Sequence, residues 1–408
     1  MSGRPYVAVI GGGPAGLMAA EVLSAHDLSV GVYDAMPSLG RKFLMAGKSG
    51  LNISRDEPIE DFTARYLRGD PRLVDALQDF GPQDVTAWMR GLGIDVHQGS
   101  SRRLFPVQMK ASPLLRAWIG RLTAAGVSFH LKSNWSGWDD EGRLVFTTPA
   151  GERAVQADAT ILALGGGSWR RLGSDGAWAA LLRERGVSVS RFLPSNGGFL
   201  VSWSHVMKER FAGTPLKATA LEAPNGARSR SEWVVTERGI EGGGVYEISQ
   251  ELRDAIISQG SARLLVDLLP DRSHADIDAR LRRPRGKQSI SNHLRKTLGL
   301  TGVKAALLRE FVSPSVFSRP DELALAIKSL SIPIDGAAPI DEAISTAGGL
   351  PWAELDNNFM LKKCPGVYCA GEMIDWDAPT GGYLMTACLA LGRAAARRAQ
   401  LWLEQRGP

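Results

Sequence analysis

Cysteine is scarce: Cys364, Cys369 and Cys388 are the three in a chain of 408 residues. They form no CxxC pair and show no metal-ligand spacing. Such a set excludes a disulfide framework, fits a reducing compartment and argues against a flavoprotein disulfide reductase. No metal site is expected. No apolar run approaches the roughly 18 residues of a spanning helix, so no membrane partner is expected. Arg4 precedes only the short apolar run 6–10, which Gly11-Gly12-Gly13-Pro14 ends at once. That pattern lacks the features of a secretory signal, and the reading is a soluble, cytoplasmic protein. Internal repeats and low-complexity tracts are absent. Excess charge is also small: the net value of +5 permits an acidic ligand such as a dinucleotide without demanding nucleic acid.

Apolar residues make up 44% and charged residues 22%, enough for sizeable cores and contrary to disorder. Eleven tryptophans read first as packing residues. Residues 6–10 (Tyr-Val-Ala-Val-Ile) pattern as a buried parallel strand, 14–26 as a helix with Pro14 at its first position, and 28–33 as a second strand. Together they make a βαβ unit. Residues 59–92 are mostly helical in pattern, 114–125 a helix, 127–131 a strand, 144–157 a hairpin and 159–164 an apolar strand. From about 190 the pattern changes to short β-like runs at 199–201, 218–220 and 233–235, then to amphipathic helices at 277–283, 290–298 and 303–311. After Pro339 it returns to α/β, with a strand at 366–370 and a long helix from Tyr383 to about Trp402.

Four motifs carry chemistry. Gly11-x-Gly13-x-x-Gly16 follows a strand and opens a helix, the context in which that spacing binds a dinucleotide. Gly11 permits the turn, Gly13 lets a pyrophosphate approach the backbone, and Gly16 lets helix and strand pack closely. The helix start, with Gly12, Pro14 and Ala15, offers N–H groups and partial positive charge to phosphate. Asp34, followed by Ala35, ends the second strand 23 residues after Gly11 and suits ribose hydroxyls. The second motif runs from Gly40-Arg41-Lys42 through Gly47-Lys48-Ser49-Gly50-Leu51-Asn52. Arg41 and Lys42 complement a pyrophosphate, and Asn52 with the loop amides suits a flat ring; a solvated basic loop has the same composition. The third, Ala163-Leu164-Gly165-Gly166-Gly167-Ser168-Trp169, lets a backbone or flat ligand approach a strand end, as a plain turn also would. The fourth is Ala370-Gly371-Glu372, then Thr380-Gly381-Gly382-Tyr383-Leu384. A glycine pair opening a helix again delivers N–H groups, with Thr380 as an ordinary N-cap.

In order and spacing these motifs resemble a bacterial FAD-dependent flavoprotein family that includes aminoacetone oxidases and BaiN-like oxidoreductases. Weaker similarity lies at 103–106 and 236–242. The chain departs from the family at 47–52, where many members have GGGRCN, and at Leu384-Met385-Thr386, where many have Asn-Leu-Gln. The resemblance implies α/β architecture: a Rossmann-like FAD-binding domain in two parts, 1–189 and 336–408. Between them it implies an inserted part at 190–335, β-barrel-like over 190–270 and helical over 271–335. It implies FAD, held by the residues just named, and an oxidoreductase acting on a small molecule. No second GxGxxG is present, so the expectation is that a nicotinamide, NAD(P)H, docks transiently at the flavin or that oxygen or another carrier exchanges the electrons. A catalytic acid or base is not identified from sequence, though Glu372, Trp376 and Tyr383 are expected near the flavin. Two other classes compete: flavin-dependent tRNA modification, through the basic segment 280–296, and a non-catalytic flavin sensor. Nucleic acid is the less expected partner, because no aromatics interleave with those cations.

Overall fold

The computed structural model describes residues 4–47, 50–66, 69–99 and 101–406. Two compact units result: Met1–Leu193 with Ile344–Pro408, and Pro194–Ala343. The first is built on strand β1 (Tyr6–Ile10), helix α1 (Pro14–Ser24), strand β2 (Ser29–Asp34), helices α2 (Arg41–Ala46) and α3 (Ala111–Ala124), strands β3 (Ser128–Leu131), β4 (Ala159–Leu162) and β5 (Val367–Cys369), and helix α4 (Tyr383–Arg406). The five strands form one parallel sheet in the order β5-β4-β1-β2-β3. Val7, Ala8 and Val9 are fully buried, which is why β1 is apolar at every position instead of alternating.

Between β1 and β4 the strand order reverses. In open parallel sheets the loops at such a point diverge and leave a crevice at the carboxyl ends of the strands. Helix α1 packs against α4 so closely that a side chain on Gly392 of α4 would lie 2.2 Å from the Ala15 carbonyl oxygen. The buried face of α4 includes Leu389, Leu391 and Leu403. Each such burial stabilises by about 2 kcal/mol. A small sheet of residues 54–55, 96–98 and 103–106 packs against the helix at 82–91, and the helix at 71–79 packs on α4.

The second unit has two antiparallel sheets. One pairs Thr214–Leu216, Trp233–Val235, Gly239–Glu241, Phe199–Leu200 and Gly336–Ala337. The other pairs Arg228–Ser229, Ala220–Glu222, Ala262–Asp267 and Leu330–Ile334. No strand pairing joins the two sheets among the described residues. Helices at 249–259, 274–281, 290–298, 302–311 and 320–328 supply the rest of its core.

Two local expectations fail here. The run 218–220 becomes a strand only at Ala220: Ala218 takes φ +50°, Thr219 is buried with its hydroxyl accepting the Trp233 indole N–H at 3.0 Å, and the strand runs Ala220–Glu222. The stretch 271–335 is not helical throughout: Leu330–Ile334 pairs with Ala262–Asp267 through five residues. Both runs are short and apolar, where periodicity does not separate strand from buried helix.

Candidate functional site

A cleft opens at the strand-order reversal. It gathers the β1–α1 turn (Gly11, Gly12, Gly13, Pro14, Ala15), Asp34, Arg41, Lys42, Ala163, Leu164, Gly165 and Glu372. Both ends of the chain therefore meet in one place. At Gly11, φ is +108° and a side chain would lie 2.1 Å from the Ala163 carbonyl oxygen, so only glycine fits between β1 and the end of β4. Gly16 faces away from the cleft: a side chain there would strike the Gly11 carbonyl at 1.9 Å. Nothing lies within 4 Å of the place a Gly13 side chain would take. Gly13 precedes α1 without a capping side chain, so the first-turn N–H groups face that open side.

Asp34 is turned inward. Its Oδ2 accepts the Gly12 N–H at 2.8 Å and its Oδ1 the Met36 N–H at 2.8 Å. Burial raises its pKa above the ordinary aspartate value, against those two bonds and the nearby Arg41 charge. An ionised carboxylate has about four acceptor sites, so two bonds leave capacity for a ribose hydroxyl. Ala35 does not line the cleft.

Lys42 does not stand open to a phosphate. Its ammonium donates to Glu372 Oε2 at 2.7 Å, to Oε1 at 3.0 Å and to Ser168 Oγ at 2.8 Å. The Glu372 side chain is 8% exposed and that of Lys42 23%. The Thr346 N–H donates to Glu372 Oε1 at 3.0 Å, and Thr346 Oγ1 accepts the N–H groups of Gly167 and Ser168 at 3.0 and 3.1 Å. Gly166 packs on Thr346, while Ser174 and Trp178 donate to the carbonyls of Gly166 and Gly165 at 3.1 and 2.8 Å. This network fixes the cleft floor.

Gly381, Gly382, Tyr383, Leu384, Gly371 and Asn52 lie outside the cleft lining. Gly371 packs on Ala15. Gly382, at φ +100°, presses on the Ser54 backbone, where a side chain would come within 2.5 Å. With its amide turned to satisfy both atoms, Asn52 donates to the Ser54 carbonyl at 3.0 Å and accepts from Gly382 N–H at 3.3 Å. Thr386 Oγ1 adds a bond to Ser54 Oγ at 2.8 Å. Asn52 and the glycine pair thus lock the start of α4 to the 52–54 loop. Lys48 and Ser49 of that motif lie outside the described residues. Thr380 does not cap α4, because its hydroxyl is buried without a partner.

Sequence reasoning missed Met36, Ser38, Phe43, Leu172, Ser174 and Cys388, which also line the cleft. Burial pushes the Cys388 thiol up to about 12, so it is a neutral wall residue. It also missed Glu57. That carboxylate is 6% exposed, accepts the Tyr383 hydroxyl at 2.6 Å, and has Arg55 Nε 3.3 Å away. No local pattern announces a bond between residues 57 and 383.

A dinucleotide fits this donor set. Arg41, in the lining, has a buried Nε without a partner, the Gly13 face is open, and the α1 start is uncapped. Among the described residues no helix is long and apolar enough to cross a membrane, and no cluster of three metal-ligating side chains occurs.

The model of the HI0933-like protein Rossmann domain matches residues 5–398. A 3-dehydro-bile acid delta(4,6)-reductase of Clostridium scindens is 24% identical, the alignment covering 96% of this chain and 98% of that protein. A ribosomal RNA dihydrouridine synthase of Escherichia coli is 26% identical over 92% of this chain and 93% of its own. The crystal structure of 3-ketosteroid delta1-dehydrogenase from Sterolibacterium denitrificans superposes with a TM-score of 0.55 at 14% identity, covering 98% of this chain and all of that one. That likeness is one of fold.

Proposed function

Since the chain belongs to the HI0933-like Rossmann-domain family and is an FAD-dependent oxidoreductase, we propose that it reduces a carbon–carbon double bond conjugated to a carbonyl in a small molecule. One observation carries the reading. Two relatives aligned over more than nine-tenths of the chain have names that denote saturation of such a bond, one in a steroid and one in a uracil ring. Bound FAD supplies hydride chemistry; the protein supplies orientation, electrostatics and protons.

The chain's own residues divide that work. The Gly11–Gly13 turn and the α1 start would hold the pyrophosphate, with Arg41 Nε as an added donor. Asp34 would hold the ribose through its remaining acceptor sites. The Lys42–Glu372 pair keeps the cleft floor neutral and closed, which argues against the cation acting as a phosphate clamp. The lone GxGxxG favours a reductant such as NAD(P)H docking transiently.

A small molecule is preferred to RNA because part of the basic segment is neutralised within its own helix. Arg280 pairs with Asp276 and Arg282 with Asp278, both at 2.8 Å. The test is anaerobic: reduce the flavin with dithionite, add 2-cyclohexen-1-one, and follow the return of flavin absorbance and the appearance of cyclohexanone. Reoxidation with ketone formation is expected. Inertness toward this and other conjugated enones would refute the reading. Salt-sensitive retention of ribosomal RNA with dihydrouridine formation would transfer it to the nucleic-acid class.

A further inference from the structure

The second unit carries a groove of its own, walled by the helices at 205–211, 290–298 and 302–311. Each helix sends one exposed arginine to it: Arg210, Arg295 and Arg309. Elsewhere in this unit exposed arginines pair with carboxylates, Arg228 with Glu222, Arg230 with Asp271, Arg238 with Glu342 and Arg282 with Asp278, at 2.6–2.8 Å. Those of the groove have no carboxylate partner among the described residues. Arg295 donates to Asn292 Oδ1 at 3.4 Å and Arg309 to Ser291 Oγ, neutral acceptors that orient the guanidinium groups without balancing their charge. Arg210 lies over the Phe211 ring, 5.8 Å from its centroid. Glu310 is the one carboxylate in the lining, and both its oxygens are taken by Ser204, through N–H at 2.5 Å and Oγ at 2.7 Å. Gathering three like charges in one groove is unfavourable until an anion joins them. Thr301, also in the lining, precedes the helix at 302–311 without a capping side-chain bond, so that helix start adds N–H donors to the same field. The flank is apolar: Val206 is 53% exposed, and Phe211 is half-buried beside it.

We propose that this groove binds a nucleoside phosphate, with the phosphates on Arg210, Arg295 and Arg309 and the base against Phe211 and Val206. A single carboxylate would leave two of the three guanidinium groups unbalanced. A phosphate ester or pyrophosphate carries two or more charges and presents several oxygens, which forked guanidinium donors take in pairs. Bare inorganic phosphate would leave the apolar flank uncovered, whereas a flat aromatic base covers it and stacks on a ring. A long polynucleotide matches less well. It would need a continued track of free cations, and Arg280 and Arg282, in the neighbouring helix, are already neutralised by Asp276 and Asp278. The groove lies wholly within the second unit, so the assignment is independent of the double-bond chemistry proposed above.

Isothermal titration of the FAD-saturated protein with ADP, at about 0.15 M salt, tests this; saturation keeps ADP out of the flavin cleft. One ADP per chain should bind, with adenosine and pyrophosphate each at least about 10-fold weaker. Arg295→Gln and Arg309→Gln should each weaken ADP by about 10-fold, the factor for loss of one charge-assisted hydrogen bond. Both side chains are exposed, so the circular dichroism spectrum should stay unchanged. Arg282→Gln, outside the groove, should leave ADP affinity as it is. Adenosine binding as tightly as ADP overturns the role of the phosphates, and pyrophosphate binding as tightly overturns that of the base. ADP affinity unmoved in both groove variants overturns the location. A wild type that ignores ADP overturns the proposal outright; if it then retains a single-stranded RNA oligomer, and both groove variants release it, the groove belongs to a polynucleotide instead.

Discussion

Replacing Lys42 by methionine isolates the electrostatics of the cleft floor. Methionine keeps the aliphatic stem and removes the ammonium, leaving the Glu372 carboxylate 8% exposed with Thr346 N–H as its remaining close donor in the network described above. Removing one partner of a fully buried pair costs about 3–5 kcal/mol. Lys42 retains 23% exposure, so part of its charge is already screened and the cost drops to about 2 kcal/mol. For a domain of this size that is a fall of about 4–8 °C in Tm. Glu372→Gln should cost less, about 1 kcal/mol, since the ammonium can still donate to Ser168 and reach water. The double variant should then be less destabilised than the two singles combined, with a coupling of about 1 kcal/mol. The assay is urea unfolding of the FAD-free protein for all four chains, repeated at high salt, where a surface pair would lose its coupling and this one should keep most of it. Strict additivity, or a Lys42→Met cost under about 0.5 kcal/mol, would refute the buried-pair argument.

Gly13→Val should abolish FAD binding with the circular dichroism spectrum unchanged, because its side chain enters open space that the cofactor needs; FAD titration measures it. Gly16→Ala should instead destabilise the fold itself, since its methyl group meets the Gly11 carbonyl, and a lowered urea midpoint without ligand is the readout. Asp34 has a pKa raised in the folded state, so its contribution is full below the unfolded value and lost as pH rises through the folded one. Asp34→Asn should therefore flatten that loss in urea midpoints measured upward from the ordinary aspartate range. Of the three thiols, only half-buried Cys364 should react with a disulfide reagent at mildly alkaline pH, whereas Cys369 and Cys388 should react only after unfolding.

The N-terminal βαβ unit is legible in sequence because few residues tolerate its geometry. Gly11 must sit against the Ala163 carbonyl and Gly16 against Gly11, and a wholly apolar strand precedes them. The meeting of both chain ends in one cleft is legible for the same reason, since each end carries a strand running into a glycine turn. Partnerships were not legible. Lys42 reads as a phosphate ligand until Glu372, 330 positions away, is seen to hold it. Asn52 reads as a ring contact until its amide is seen closing on Gly382 and Ser54. Glu57 has no local signal, because a lone glutamate in a loop carries no periodicity. The strand Leu330–Ile334 was hidden because it directly follows the helix ending at Lys328 and contains Pro333.

The sheet order has a consequence for how the chain is made. Strand β4 lies between β1 and β5, and β5 with α4 is encoded after residues 194–343. At about 5–20 residues per second, a ribosome needs on the order of ten seconds to traverse that stretch. Throughout it, the first 193 residues wait with β4 as an unpaired edge and α1 uncovered on the side α4 will take. The middle unit is contiguous and has all its strands and helices in hand before the ribosome finishes, so it can mature while its host cannot. Chains that terminate early would carry the phosphate turn yet present an open sheet edge, the surface by which chaperones and proteases recognise unfinished protein. On the proposed assignment of the cleft to FAD, retention of the cofactor would report completion, since only a polypeptide synthesised through α4 closes that cleft.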